Sequence, residues 1–385
     1  MKKRILYIIG GLFAIWIIGL VISLMTGAVK IKFNEGGDKP DLSKKTDDGP
    51  YLIVKNRTGF LGYFINGKYV VESKPQREFI NKSFKVINEN PIDNFHIVIK
   101  SSIDIQPEVY PAAKKILAIS DIEGNFYALK KILQDNSVID DSLKWKYGNN
   151  HLVIIGDLLD RGLEVTQCLW LIYNLEDEAK KVGGHVHYIL GNHETMVMAG
   201  DVRYVRKKYI ELSQAMHLDY SNEIFGANSE IGRWLRSKNI VEKIGNTLFV
   251  HAGISENILE KKISIKDINL IGRQYYGSSK DSIKDSPLAK EIFGKKGPLW
   301  YRGIPEKKLS STEVTEILNL YDADKIVFGH SIVENIQGFY DGKLIGIDLE
   351  QPTRGSGSNT RALLIENNQF YEITGKSNKR LINEK

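Results

Sequence analysis

Six short apolar runs constrain this chain more than any other feature: KILAIS (115–120), HLVIIG (151–156), VHYIL (186–190), TLFVHAG (247–253), KIVFGH (325–330) and KLIGID (343–348). Each has the length of a strand buried on both faces, and helical periodicity fills Asn125–Gln134 and Glu164–Val182 between them. Such alternation predicts an α/β or α+β sandwich. The residues just beyond the first five runs are more specific. KILAIS leads into Asp121-Ile122-Glu123-Gly124 and HLVIIG into Asp157-Leu158-Leu159-Asp160-Arg161-Gly162. VHYIL leads into Gly191-Asn192-His193-Glu194, TLFV into His251-Ala252-Gly253, and KIVF into Gly329-His330-Ser331. Sites in open α/β sheets form in the crevice beyond the carboxyl ends of the strands. Here that crevice would collect Asp121, Glu123, Asp157, Asn192, His251 and His330. All are oxygen or imidazole donors, a set suited to Mn, Fe, Zn or Mg. The single cysteine, Cys168, excludes an intramolecular disulfide and a cysteine-based zinc cluster. It falls in the apolar helical stretch TQCLWLIY and reads as a small buried hydrophobe.

Alone, each piece reads as a solvated loop or a turn. As an ordered set, GDLLDRG, GNHE, HAG and GH resemble the calcineurin-like metallophosphoesterase superfamily, in its bacterial phosphoprotein-phosphatase-like branch. The resemblance covers about 113–375 and implies a sandwich of two mixed β-sheets flanked by helices, with a helical cap at about 195–245. It further implies two metal ions, Mn foremost and Fe, Zn or Mg as alternatives. The first would be held by Asp121, Glu123 and Asp157; Asp157 would bridge to a second held by Asn192, His251 and His330. Hydroxide held between the metals would attack phosphorus in line, with no covalent enzyme intermediate. His193 would protonate the leaving oxygen as general acid, with Asp160 hydrogen-bonded to its ring. Arg161 is expected to pair with phosphate oxygens alongside Asn192, and Arg302 is the candidate second arginine. Arg233 and Arg236 are expected to pair with cap carboxylates, and Tyr204, Tyr209 and Trp234 to fill the cap's core.

One position departs from the family pattern. Its first motif usually reads GDxHG, whereas Ser120-Asp121-Ile122-Glu123-Gly124 places a glutamate where a metal-binding histidine belongs. Three carboxylates at the first metal predict a harder, more anionic site that favours Mn, Mg or ferric iron over zinc. They also predict a less acidic bridging water and a raised pH of optimal activity.

The remainder of the chain divides by composition. A four-residue tail precedes the charge-free run 5–26, long enough to span about 30 Å of hydrocarbon. Lys2, Lys3 and Arg4 before it predict an uncleaved single-pass anchor with a cytoplasmic N-terminus and an extracytoplasmic catalytic domain. A cleaved signal peptide is the competing reading. Residues 27–50 read as a linker, and 51–112 as a small antiparallel β module with a hairpin at Asn66-Gly67. A second hairpin is expected to close at Asn368-Gln369, before a basic tail at 376–385. The net charge of +6 resides in the two ends, +3 in 1–50 and +3 in 376–385, so no nucleic-acid partner is expected. The expected function is a membrane-anchored, metal-dependent phosphomonoesterase acting on a phosphoprotein or a small phosphoester. The alternatives are a diadenosine-polyphosphate-type phosphoanhydride hydrolase and a catalytically weakened envelope binding protein.

Overall fold

The computed structural model describes residues 47–382. The apolar run 5–26, most of the linker and residues 383–385 lie outside the described residues. Among the described residues no helix is long and apolar enough to cross a membrane.

The β-rich segment begins with β1 (Asp48–Lys55), β2 (Thr58–Ile65) and β3 (Lys68–Pro75), an antiparallel meander. β4 (Ser83–Val86) pairs with β5 (Phe95–Val98) as a separate ribbon. The Asn66-Gly67 turn joins β2 to β3 with both residues left-handed, as the dipeptide predicts. A second tight turn, Asn56-Arg57, is also left-handed but has no glycine, and carries no comparable sequence signal. This segment is not a separate body. Its Tyr51, Leu61, Phe64 and Phe79 share one apolar cluster with Trp170 and Leu169 of the helix Val165–Lys181. Trp170 Nε1 donates to the Pro50 carbonyl at 2.9 Å, and Lys208 pairs with buried Asp48 at 2.7 Å. The two-residue strand β6 (Val109–Tyr110) joins a main sheet.

Two six-stranded mixed sheets form the body. One contains β7 (Lys115–Ile119), β8 (His151–Ile155) and β9 (His185–Ile189) in parallel. The other contains β10 (Val241–Ile244), β11 (Thr247–Val250), β12 (Lys325–Phe328), β13 (Gln337–Phe339) and β14 (Leu344–Gly346), with β6 at its edge. The first is completed by β15 (Arg361–Glu366), β16 (Gln369–Thr374) and β17 (Asn378–Leu381). Alternation along the strands sorts their side chains into two layers. Ile116, Ala118, Val153 and Ile155 meet Ile244, Phe249, Val327 and Ile345 of the opposite sheet. The intervening Leu117, Ile119, Leu152 and Ile154 pack in the helix-covered layer with Leu129 and Ile132 of the helix Phe126–Asp135. Burial on both faces is why these strands read as unbroken apolar runs.

Three boundaries differ from the sequence expectation. The C-terminal hairpin turns at Asn367-Asn368, and Gln369 already belongs to β16. The expected basic tail supplies β17, held on the sheet edge by Arg380 paired with Glu372 and Lys379 with Glu366 at 2.7 Å. The cap segment carries the helices Lys207–Ala215 and Glu230–Arg236, but its last residues are β10 of the second sheet.

Candidate active site

The carboxyl ends of β7, β8, β9, β11, β12 and β14 meet at one edge of the sandwich, and sharp turns gather there. Asp121, Glu123, Asp157, Asp160, Arg161 and His330 all have φ between 48° and 70°. A non-glycine residue in this left-handed region costs on the order of 1 kcal/mol, and clusters of them mark functional sites. Hydrogen bonds between the loops hold them: Glu123 N–H donates to the Asp157 carbonyl and Gly124 N–H to that of Leu158, both at 2.8 Å. The loops touch so closely that a methyl group on Gly191 would sit 2.1 Å from Asp157 Oδ1, and one on Gly329 would sit 1.9 Å from Ser120 Oγ.

Glu194, fully buried, ties two of these loops together. Its carboxylate accepts from the N–H groups of Asp157 (2.9 Å), Leu158 (2.8 Å), Leu159 (3.2 Å) and Gly191 (2.8 Å). The last residue of GNHE thus positions Asp157.

Asp157, His251, His330 and Asn192 converge. His251 donates Nδ1–H to the Ile155 carbonyl at 2.9 Å, which turns Nε2 into the site. That nitrogen faces Asn192 Oδ1 at 2.9 Å, His330 Nδ1 at 3.2 Å and Asp157 Oδ2 at 3.3 Å. All four atoms carry lone pairs that a proton on a ring nitrogen only partly satisfies. Their lone pairs otherwise oppose one another, an arrangement a divalent cation satisfies. Burial disfavours charge on His251, but the adjacent Asp157 carboxylate outweighs it and raises the ring to about 10. Burial and the facing His251 push His330 down to about 2. His251 is therefore the ring that holds the extra proton where the donor set suits a metal.

His193 sits on the neighbouring side of Asp157. Its Nδ1 lies 2.6 Å from Asp160 Oδ2, its backbone N–H donates to Asp157 Oδ1 at 3.0 Å, and its Nε2 lies 3.8 Å from Asp157 Oδ2. Burial opposes protonation of this ring; Asp157 and Asp160 overcome it and raise its pKa. Tyr204, expected in the cap core, instead lies 38 % exposed with its ring 5.1 Å from that of His193 and beneath Arg161. Tyr209 and Trp234 are buried as expected.

The first-metal donors are arranged differently. Asp121 Oδ2 accepts from Ser120 Oγ–H and from the His330 N–H at 3.1 Å. Glu123 is ion-paired with Arg161, so the arginine expected on phosphate neutralises the carboxylate that replaces the family histidine. Asp348, at the end of β14, is 5 % exposed and lines the same recess. Burial first, then Glu123, raise its carboxyl to about 7. KLIGID is legible as a strand, but its terminal aspartate lacks a following glycine, so the sequence gives no sign that it belongs to the site.

A cavity of about 580 Å³ opens beside this position, lined by Glu123, Tyr127, Arg161, Arg206, Asp348 and Arg354 among others. Arg354 stacks over Tyr127 at 5.3 Å and pairs at 2.6 Å with Asp93 of the β-rich segment. Arg302 donates to the His330 carbonyl at 2.8 Å, which places it beside the His251–His330 pair. Arg233 pairs with Glu230 as expected, whereas Arg236 donates to the carbonyls of Phe225 and Gly232 rather than to a carboxylate. Cys168 is buried, and burial pushes its thiol up.

Comparison with known proteins agrees with this geometry. The chain matches the calcineurin-like phosphoesterase family over residues 114–334. It superposes on the crystal structure of a cold-active protein-tyrosine phosphatase of a psychrophilic Shewanella species with a TM-score of 0.78 and 31% identity, covering 88% of this chain and 100% of that one. The Shewanella-like protein phosphatase 1 of Plasmodium berghei is 33% identical over 56% of this chain and 61% of its own length. A symmetrical bis(5'-nucleosyl)-tetraphosphatase of Methylococcus capsulatus is 26% identical over 44% of this chain and 58% of its own. The chain thus spans less than two thirds of these two relatives. With more than half of its length matched and the family's motifs gathered at one sandwich edge, the chain belongs to the calcineurin-like phosphoesterases.

Proposed function

We propose that the protein is a metal-dependent phosphomonoesterase whose metals are held by Asp121, Glu123 and Asp157 at one position and by Asp157, Asn192, His251 and His330 at the other. The observation that carries this reading is the buried His193–Asp160 pair set directly against Asp157. Two cations held by these residues would supply charge for a phosphoryl group and a water acidified toward neutrality. Around them, Asp157 is kept anionic: burial opposes its ionisation, and His251 and His193 outweigh burial. His193, oriented and kept protonated by Asp160, delivers a proton to the departing oxygen. Arg161 exchanges Glu123 for phosphate oxygens when substrate enters, a move its 47 % exposed side chain allows.

Manganese suits a first position built of carboxylates, and a raised pH optimum follows from its added negative charge. The test is release of phosphate from phosphotyrosyl and phosphoseryl peptides and from an aryl phosphate, with Mn, Mg, Fe and Zn varied. Failure on all of them with every metal would overturn the reading. Unchanged metal preference and pH profile in Glu123→His would remove the carboxylate argument alone. A second reading, hydrolysis of dinucleoside polyphosphates, is supported by the large cavity bearing Arg206, Arg354 and Tyr127. Faster turnover of diadenosine tetraphosphate than of every monoester would favour it. The charge-free run 5–26 supports an anchored protein with its catalytic domain outside the cytoplasm, and protease accessibility in intact cells tests that topology.

A further inference from the structure

The sixth strand end supplies a side chain that the protein itself leaves unengaged. The β14 ladder ends at Gly346, and the chain continues extended: Ile347 N–H donates to the Phe328 carbonyl and Val333 N–H to the Asp348 carbonyl, both at 2.9 Å. Asp348 is thereby fixed beside the loop that carries His330, whose own N–H holds Asp121 Oδ2 at 3.1 Å. Asp348 is 5 % exposed, and its carboxylate opens on the recess without a hydrogen bond or ion pair to a described side chain. It faces the recess that Asp121, Glu123 and Arg161 also line. A buried carboxylate left without a donor is costly, and among the groups at the first metal position the one cation near it, Arg161, is already engaged by Glu123.

We propose that Asp348 is a ligand-side carboxylate of the first metal position, acting with Asp121, Glu123 and Asp157. The inference rests on the metal-dependent reading above. It explains how a chain lacking the usual first-motif histidine completes that position: the missing donor comes from the end of β14 rather than from the first loop. Four carboxylates also make the position more selective for hard, oxygen-preferring cations than three would.

The test is Asp348→Asn, with Asp348→Glu as the conservative control, read by metal content and by the manganese electron paramagnetic resonance spectrum. Wild-type protein is expected to bind two Mn per chain with a spin-coupled signal. Asp348→Asn should retain one tightly, lose the coupled signal, and bind the other at least about tenfold more weakly, the scale set by loss of a supporting ligand. Asp348→Glu should recover part of the coupled signal. Thermal unfolding of metal-free protein separates this role from a structural one. Removing an unpaired buried charge should leave the metal-free melting temperature unchanged or raised, while the gain on adding Mn shrinks. Two coupled Mn ions bound with wild-type affinity in Asp348→Asn would overturn the proposal, as would a lowered metal-free melting temperature with the Mn gain intact. Wild-type protein that binds no metal would instead overturn the underlying reading.

Discussion

The two donor sets proposed to hold metal share Asp157 but are built on different principles. Apart from Asp157, the second is made of an amide and two imidazoles, with Asn192 Oδ1 and His330 Nδ1 at 2.9 and 3.2 Å from His251 Nε2. These groups tolerate that closeness because a ring proton on His251 can face acceptor atoms. The first is made of carboxylates, which cannot: Glu123 leans to Arg161, Asp121 takes hydrogen bonds from Ser120 and His330, and Asp348 stands without a donor. Like charges close together must protonate, find a counter-ion or separate. The second donor set is thus gathered by the fold, whereas the carboxylates of the first are held by separate partners.

The largest effect should come from the residue both positions share. Asp157→Asn is expected to lower turnover of phosphomonoesters by about 10³-fold or more and to weaken both metals. Retention of one tightly held metal would show that the positions are less joined than the geometry indicates. His193→Ala should cost about 10²- to 10⁴-fold on alkyl phosphates, whose leaving oxygen needs a proton, and far less on p-nitrophenyl phosphate. Equal losses on both substrates would remove His193 as the acid. Glu194→Gln, which puts an amide donor among four backbone N–H groups, should destabilise metal-free protein by roughly 2–4 kcal/mol in urea unfolding. A smaller change would mean that the second position is less prearranged than it looks. The subtlest effect is in pH. His251 is raised to about 10 from a free value near 6.5, so the stability it contributes is complete below about 6.5 and lost as pH rises toward 10. Metal binding needs the neutral ring and should abolish that slope, which unfolding of metal-free and Mn-loaded protein at pH 7 and 9.5 would compare.

The catalytic edge is readable because chemistry and turn formation coincide in the same few residues. A strand buried on both faces announces itself as an apolar run, and the Asp, Asn or His beside glycine marks where it stops. Asp348 is hidden because Asp348-Leu349-Glu350 has no glycine, and its place is set by bonds from Ile347 N–H to Phe328 and from Val333 N–H to Asp348, which no local pattern encodes. Glu194 is visible in its motif, but its four N–H partners come from a loop more than thirty residues away as well as from its own. Tyr204 reads as one more cap aromatic until the fold lays it against His193. β6 is two residues long and exists only through pairing with Lys243 and Ile244. β17 carries the sequence NKRL, and its cross-strand charge pairs, not apolar alternation, account for its place.

The anchoring of the β-rich segment bears on how the chain acquires its structure during synthesis. Pro50 waits 120 residues for Trp170, and Asp93 waits 261 for Arg354. The β1–β3 meander therefore remains unfinished, with apolar faces and edges uncovered, until the helix Val165–Lys181 and Lys208 have been made, and Asp93 waits longer still. Non-local closure of this kind slows folding and lengthens exposure to aggregation. Chaperone demand during translation should accordingly follow the N-terminal meander rather than the catalytic sandwich.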